Sequence, residues 1–244
     1  MKHTERVYGE PIKLDGKQIK DFFNRRAIGF QENRRSSNTT VLLGDANENY
    51  AEKWDKFEKE YILPFLSLKR TDAVLDIGCG IGRWAKTLLP LCGSYIGLDL
   101  SDEMILTAQS IFADTPSALF INASFQELFS VPQIVGKQFH TIIITGVCMY
   151  LNDNELCKCF EQLSRILAPH GGILYLEESI GIQERLSLNA HWSSTLDDYY
   201  SAVYRTKVSI WNCFTLCLRK RISLMLDHFM NSTKNSFQKQ VIGF

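Results

Sequence analysis

Between residues 73 and 178 short apolar runs alternate with stretches whose apolar residues recur every three or four positions. AVLDIG, SYIGLDL, ALFINA and the nearly continuous KQFHTIIITGVC read as strands,. RWAKTLLPL and SDEMILTAQSIFA read as helices between them,. Strands spaced by amphipathic helices predict parallel βαβ units, and TIIIT, apolar on both faces, predicts a strand in the middle of the sheet. DNELCKCFEQLSRILAPHGGILYLEE adds a helix with Leu156, Phe160, Leu163, Ile166 and Leu167 at its apolar positions. A Pro-His-Gly-Gly turn then leads into a fifth strand.

The flanks follow other patterns. Residues 15–27 place Ile19, Phe22 and Phe23 at helical spacing among charges, which predicts a short amphipathic helix, and the polar run 31–40 predicts a mobile loop,. Tyr50, Trp54, Phe57, Tyr61 and Ile62 share a face of the next helix, stopped by Pro64, which makes that helix a candidate lid,. After Glu178 the period is lost in a run rich in aromatics, so 179–210 is expected as a substrate-facing insertion of loop and short helix,. KVSIWNCFTLCLRKR can form a helix, and SLMLDHFM and SFQKQVIGF are strand candidates joined by an NSTKN turn,. The expected organisation is an N-terminal helix, loop and lid over 1–48 and one catalytic α/β domain over 49–244,.

Charge and cysteine usage narrow the function classes. The 27 basic and 27 acidic residues cancel, so no basic excess speaks for nucleic acid as partner,. The N-terminus lacks the apolar core of a signal peptide and no apolar run is long enough for a bilayer, so a soluble, cytoplasmic protein is expected,. Seven cysteines without a Cys-x-x-Cys pair are expected as buried free thiols in a reducing compartment, with no metal centre,.

The stretch VLDIGCGIGRW sets Gly78, Gly80 and Gly82 between the first strand and the next helix, where open α/β sheets bind ligands,. Lack of a side chain lets such a loop turn sharply and press its backbone on a ligand. A nicotinamide fingerprint would need a glycine where Arg83 stands, and a P-loop would need Gly-Lys-Ser/Thr where Gly82-Arg83-Trp84 stands,. With Asp76 two residues ahead of the first glycine, the segment resembles the first motif of the class I S-adenosylmethionine-dependent methyltransferases, and the resemblance extends over roughly residues 50–180. It implies an α/β, doubly wound, mostly parallel seven-stranded Rossmann-like sheet, with an N-terminal helical lid and a C-terminal β-hairpin.

By the same resemblance Asp76, Gly78, Cys79, Gly80 and Gly82 face the methionine and ribose of S-adenosyl-L-methionine, and Asp99 holds the ribose hydroxyls,. Asn122, Ala123, Ser124 and Phe125 line the adenine, with Leu100 and Met104 on its other face. Thr145, Gly146 and Val147 lie under the methionine, and Tyr50 and Trp54 cover the cofactor from the lid. The expected product is S-adenosyl-L-homocysteine.

Methyl transfer from a sulfonium is an in-line displacement, for which positioning can supply roughly 7–11 kcal/mol and a general base about 3–5. His191, Tyr150 and Glu178 are the catalytic candidates, and Tyr150, Glu177, Tyr200, Tyr204 and Arg205 the candidates for holding the acceptor. The expected acceptor is the oxygen or nitrogen of a small molecule, a metabolite or activated sugar. Neither nucleic acid nor a membrane is expected as partner, and a homodimer is left open. The alternative is a catalytically inactive cofactor-binding regulatory or scaffold protein.

Overall fold

The computed structural model describes residues 5–43, 47–217, 225–228 and 238–243. The chain runs through Glu5–Tyr8 (β1), Gly16–Gln31 (α1), Ser37–Leu42 (α2), Glu48–Leu66 (α3), Ala73–Ile77 (β2), Ala85–Leu88 (α4), Ser94–Asp99 (β3), Asp102–Ile111 (α5) and Ala118–Asn122 (β4). It continues through Thr141–Thr145 (β5), Asp153–Ile166 (α6), Ile173–Ile180 (β6), Leu186–Ser193 (β7), Asp198–Tyr204 (β8), Lys207–Cys217 (α7), Met225–His228 (β9) and Gln238–Gly243 (β10). The main sheet has the order β4-β3-β2-β5-β6-β10-β9. β4, β3, β2, β5 and β6 are mutually parallel, and β10 joins β6 and β9 antiparallel. The expected NSTKN turn lies outside the described residues.

Local chemistry sets the elements. Ile142, Ile143 and Ile144 of β5 are wholly buried, as an apolar run covered on both faces requires,. Ser101 caps α5 by accepting from the Met104 N–H, and Asn152 and Glu155 close a reciprocal capping box on α6,. Pro64 does not stop α3: the helix runs one more turn fragment to Leu66 and ends where Ser67 turns left-handed, because a proline loses only its own donor,. The run expected as a loop at 31–40 contains the start of α2, capped by Ser36 accepting from the Thr39 N–H. Arg26 of α1 reaches across, buried, and donates to the Thr39 and Thr40 carbonyls, so α1 and α2 form one unit.

Two expectations are corrected. The stretch 179–210 is not loop and short helix, since β7 and β8 form an antiparallel pair joined by β1 into a second, three-stranded sheet. Alternation of Tyr200, Ala202 and Tyr204 on the buried face is the strand period, broken in sequence by the buried Val203 on the other side,. Cys157 and Cys213 are not free thiols; they form a disulfide between α6 and α7, with Cα atoms 5.6 Å apart. Edge-to-face packing of Phe160 on Phe214 seats α7 on α6 and brings together cysteines 56 residues apart, a separation that spacing rules cannot pair,. Cys79, Cys92, Cys148 and Cys159 are buried free thiols. The pairing withdraws the argument for a reducing compartment that rested on unpaired cysteines. Among the described residues no helix is long and apolar enough to cross a membrane.

Candidate functional site

A cavity of about 740 Å³ opens above the carboxyl ends of β2, β3 and β5, roofed by α1 and α2 and walled on one side by the three-stranded sheet. Its floor is the loop after β2, whose Gly78 and Cys79 N–H groups donate to the Leu98 carbonyl at 2.8 and 2.9 Å. Gly80 has φ +54°, and a Cβ there would stand 2.6 Å from Cγ1 of Val41 on α2. The loop and its roof therefore touch through a place only glycine leaves open. Gly82 serves packing instead: its missing Cβ makes room for the Phe112 ring, 2.5 Å away, and it does not line the cavity.

Two carboxylates meet this floor. Asp76 is buried and receives the Tyr95 hydroxyl on Oδ2 at 2.5 Å, and its buried Oδ1 has no hydrogen-bond partner among the described residues. Burial pushes its carboxyl up to about 7, opposed by the Tyr95 bond and Arg83,. Asp99 accepts from the Gly80 N–H at 2.9 Å on one oxygen and the Ser101 N–H at 2.8 Å on the other. Burial pushes Asp99 up to about 6 in spite of both bonds. Each oxygen keeps a second lone pair.

Of the positions read from sequence, Asp76, Gly78, Cys79, Gly80, Asp99, Leu100, Met104, Ala123, Ser124, Phe125, Thr145, Gly146 and Val147 line the cavity, as do Tyr150, Glu177, Tyr200 and Tyr204. Others lie elsewhere. Asn122 turns its amide nitrogen onto the carbonyls of Asp99 and Leu100, which joins β4 to the β3 end. Tyr50 and Trp54 of α3 do not line the cavity, and Tyr50 is 59% exposed. Glu178 faces the opposite side of β6 from Glu177, as alternation along a strand demands. Its Oε1 accepts the Val147 and Cys148 N–H groups at 2.7 and 2.6 Å and its Oε2 that of Met149 at 3.3 Å, so it holds the turn after β5, with burial lifting its carboxyl to about 7. Arg205, expected on the acceptor, is buried under the same turn. It donates to the Cys148 and Leu151 carbonyls and pairs with Asp153 at 2.7 Å. His191 sits on β7 with its Nε2 3.4 Å from the Arg6 guanidinium and lines no part of the cavity. Partial burial and Arg6 lower its pKa.

The structure also brings in residues that sequence patterns missed. Ile19 and Phe23 of α1, Val41 and Leu42 of α2, and Leu43 just after it close the roof. Arg83 is the one cationic side chain among the described residues lining the cavity. Asp55 and Glu58 of α3 hold it at 2.9 and 2.6 Å, Thr145 accepts from it at 3.2 Å, and Tyr175 donates to the far oxygen of Glu58 at 2.8 Å. An Asp-x-x-Glu at helical spacing facing a lone arginine is a signal that could have marked it.

Residues 74–171 match the methyltransferase domain family, a span that holds the glycine loop, both carboxylates and the strand above them. Over that span the chain is similar to methyltransferase domains. Its sequence is 29% identical to phosphoethanolamine N-methyltransferase 1 of Triticum aestivum over 135 residues, 54% of this chain and 26% of that protein. The chain spans less than half the length of the curated relatives it matches first. The methyltransferase fold recurs in an S-adenosylmethionine-dependent methyltransferase of Leishmania major, with TM-score 0.63 and 17% identity, covering 91% of this chain and 83% of that one. Magnesium protoporphyrin IX methyltransferase of Synechocystis superposes with TM-score 0.61 and 17% identity over 96% of this chain and 99% of its own.

Proposed function

We propose that this methyltransferase domain binds S-adenosylmethionine and transfers its methyl group to a nitrogen or oxygen of a small molecule. The observation that carries the reading is the pair of carboxylates on the glycine floor, above all the buried Asp76 Oδ1 that lacks a partner and would accept from an ammonium,. Asp99, at the end of β3, has lone pairs left for two ribose hydroxyls. Leu100, Met104 and Phe125 offer an apolar slot for the adenine. Among the described residues lining the cavity, Arg83 supplies the one positive charge that a cofactor carboxylate could meet. When bound, the cofactor supplies an electrophilic methyl: the acceptor lone pair forms the new bond, the carbon–sulfur pair goes to sulfur, and a proton leaves the acceptor.

What the chain contributes is position and exclusion of water. The roof of α1 and α2 and the turn held by Glu178 fix the walls before any ligand enters, and holding two reactants in line is worth roughly 7–11 kcal/mol. The wheat relative is named as an N-methyltransferase and the Synechocystis neighbour as a porphyrin methyltransferase, which supports a small acceptor. Isothermal titration with S-adenosylhomocysteine tests the reading. The parent should bind, and Asp99→Ala should weaken binding by roughly 10- to 100-fold, the range expected when a hydrogen-bonding carboxylate is lost. Absence of binding by the parent would defeat the proposal, and binding without turnover across an acceptor panel would leave a regulatory cofactor-binding protein.

A further inference from the structure

Beyond the floor the cavity changes character. Tyr150, from the turn after β5, stands with its ring 6.1 Å from and at 88° to that of Tyr200 on β8, and Phe23 of α1 meets the Tyr150 ring edge-to-face at 5.1 Å. Two rings at right angles make a corner that presents π-faces. The phenol hydroxyls of this corner bond within it. Tyr204 donates to the Tyr200 oxygen at 3.3 Å and Tyr200 donates to the Met149 sulfur at 3.5 Å. A third bond joins the Tyr150 and Tyr200 hydroxyls at 2.9 Å. The Tyr150 and Tyr200 side chains line the cavity, and so does the Glu177 carboxylate, which stands beside Thr145 in the main sheet. Burial raises all three phenols, so they stay neutral and do not serve as bases.

Aromatic rings and a carboxylate attract positive charge, and Arg83, the one cation lining this cavity among the described residues, is already paired with Asp55 and Glu58,. No histidine lines the cavity among the described residues to take a proton from an alcohol. We infer that the acceptor is an amine, taken in as its ammonium form against Tyr150 and Tyr200 in the cavity that Glu177 also lines, and that it gives up one proton to solvent before its freed lone pair attacks the methyl carbon. This rests on the methyltransferase reading and narrows its acceptor from oxygen or nitrogen to a cationic nitrogen. Tyr150 and Tyr200 also line a second cavity of about 360 Å³ beside Gln18 and Ser201, so the corner is a wall shared by the two cavities.

The test uses the whole protein saturated with S-adenosylhomocysteine and two probes of one shape, tetramethylammonium and the uncharged tert-butanol, titrated calorimetrically at constant ionic strength. The expected result is tetramethylammonium binding at least tenfold tighter than tert-butanol. Tyr150→Leu should weaken it by roughly 5- to 30-fold, the range of a desolvated cation–π contact, and Tyr150→Phe, which keeps the ring, by no more than about threefold. S-adenosylhomocysteine affinity should stay within a few-fold in both variants, which shows that each is folded. Equal binding of the two probes by the parent, or an equal loss in the Phe and Leu variants, overturns the amine proposal while leaving the cofactor reading intact. Failure of S-adenosylhomocysteine itself to bind overturns both.

Discussion

The two ends of the cavity are built by opposite means. The cofactor end is made from one stretch of chain, β2 to β5, with carboxylates and backbone N–H groups on short loops. The acceptor end is assembled from α1, the turn after β5 and β8, with neutral phenols and aliphatic side chains. The first end uses charge held at a cost in burial, visible in Asp76 and Asp99 lifted to about 7 and 6. The second uses shape and closed hydrogen bonds. A local, charged, generic end and a remote, neutral, particular end allow one to keep its ligand while the other varies.

The strongest way to break the contrast is to unfasten the turn that joins the ends. Arg205→Met removes a buried guanidinium that satisfies the Cys148 and Leu151 carbonyls and meets Asp153, whose side chain is half exposed. The expected cost is about 2–4 kcal/mol in urea unfolding. In the folded variant, tetramethylammonium binding should fall more than S-adenosylhomocysteine binding, and an equal fall would mean that the ends are not separable.

A second handle is pH. Asp76, Asp99 and Glu178 have carboxyls raised by burial above the ordinary carboxylate value near 4, so the folded state holds protons that the unfolded chain releases,. The stability they contribute is whole below about pH 4 and is lost as pH rises through about 6 to 7. A ligand ammonium beside Asp76 favours the ionised form and offsets part of that loss. The thermal shift given by saturating S-adenosylhomocysteine should therefore be larger at pH 8 than at pH 5.5, by on the order of 1–2 kcal/mol. Equal shifts at the two values would remove Asp76 from the ligand.

The smallest effect sharpens the boundary from outside. His191→Ala alters a residue of β7 that lines neither of the two cavities described above, and the rate of S-adenosylhomocysteine release with an amine acceptor should stay within about twofold. A drop of 10²-fold or more, the usual contribution of a general base, would bring β7 into the chemistry.

The same contrast explains what was legible in the sequence. The strand and helix alternation of 73–178 reports the parallel sheet because each element is amphipathic on its own, and the Asp76 to Gly80 spacing marks a loop whose geometry is local. Asp99 and Phe125 follow by chain order from the strand ends. The acceptor end is carried by pairings across the whole chain, which no periodicity reports. The tyrosines of β8 were found as candidates but placed in loop and short helix, and Ile19 and Phe23 were read only as the apolar positions of an amphipathic helix. Asn122, Glu178 and Arg205 stand apart from their expected contacts for one shared reason. A polar side chain that looks free in sequence is often committed to a backbone group that only the fold brings near, as the Glu178 bonds to three N–H groups illustrate,.

The small sheet has a further consequence in time. β1 pairs with β7 in the register Glu5 to Asn189, so the first strand of the chain waits for nearly the last part of the acceptor wall. Closing so long a loop costs entropy before any contact repays it, and pairings of this kind form late. During synthesis every residue of the cofactor floor leaves the ribosome before β8 does. A nascent chain can thus own the floor of its cavity while it still lacks the wall that chooses what enters.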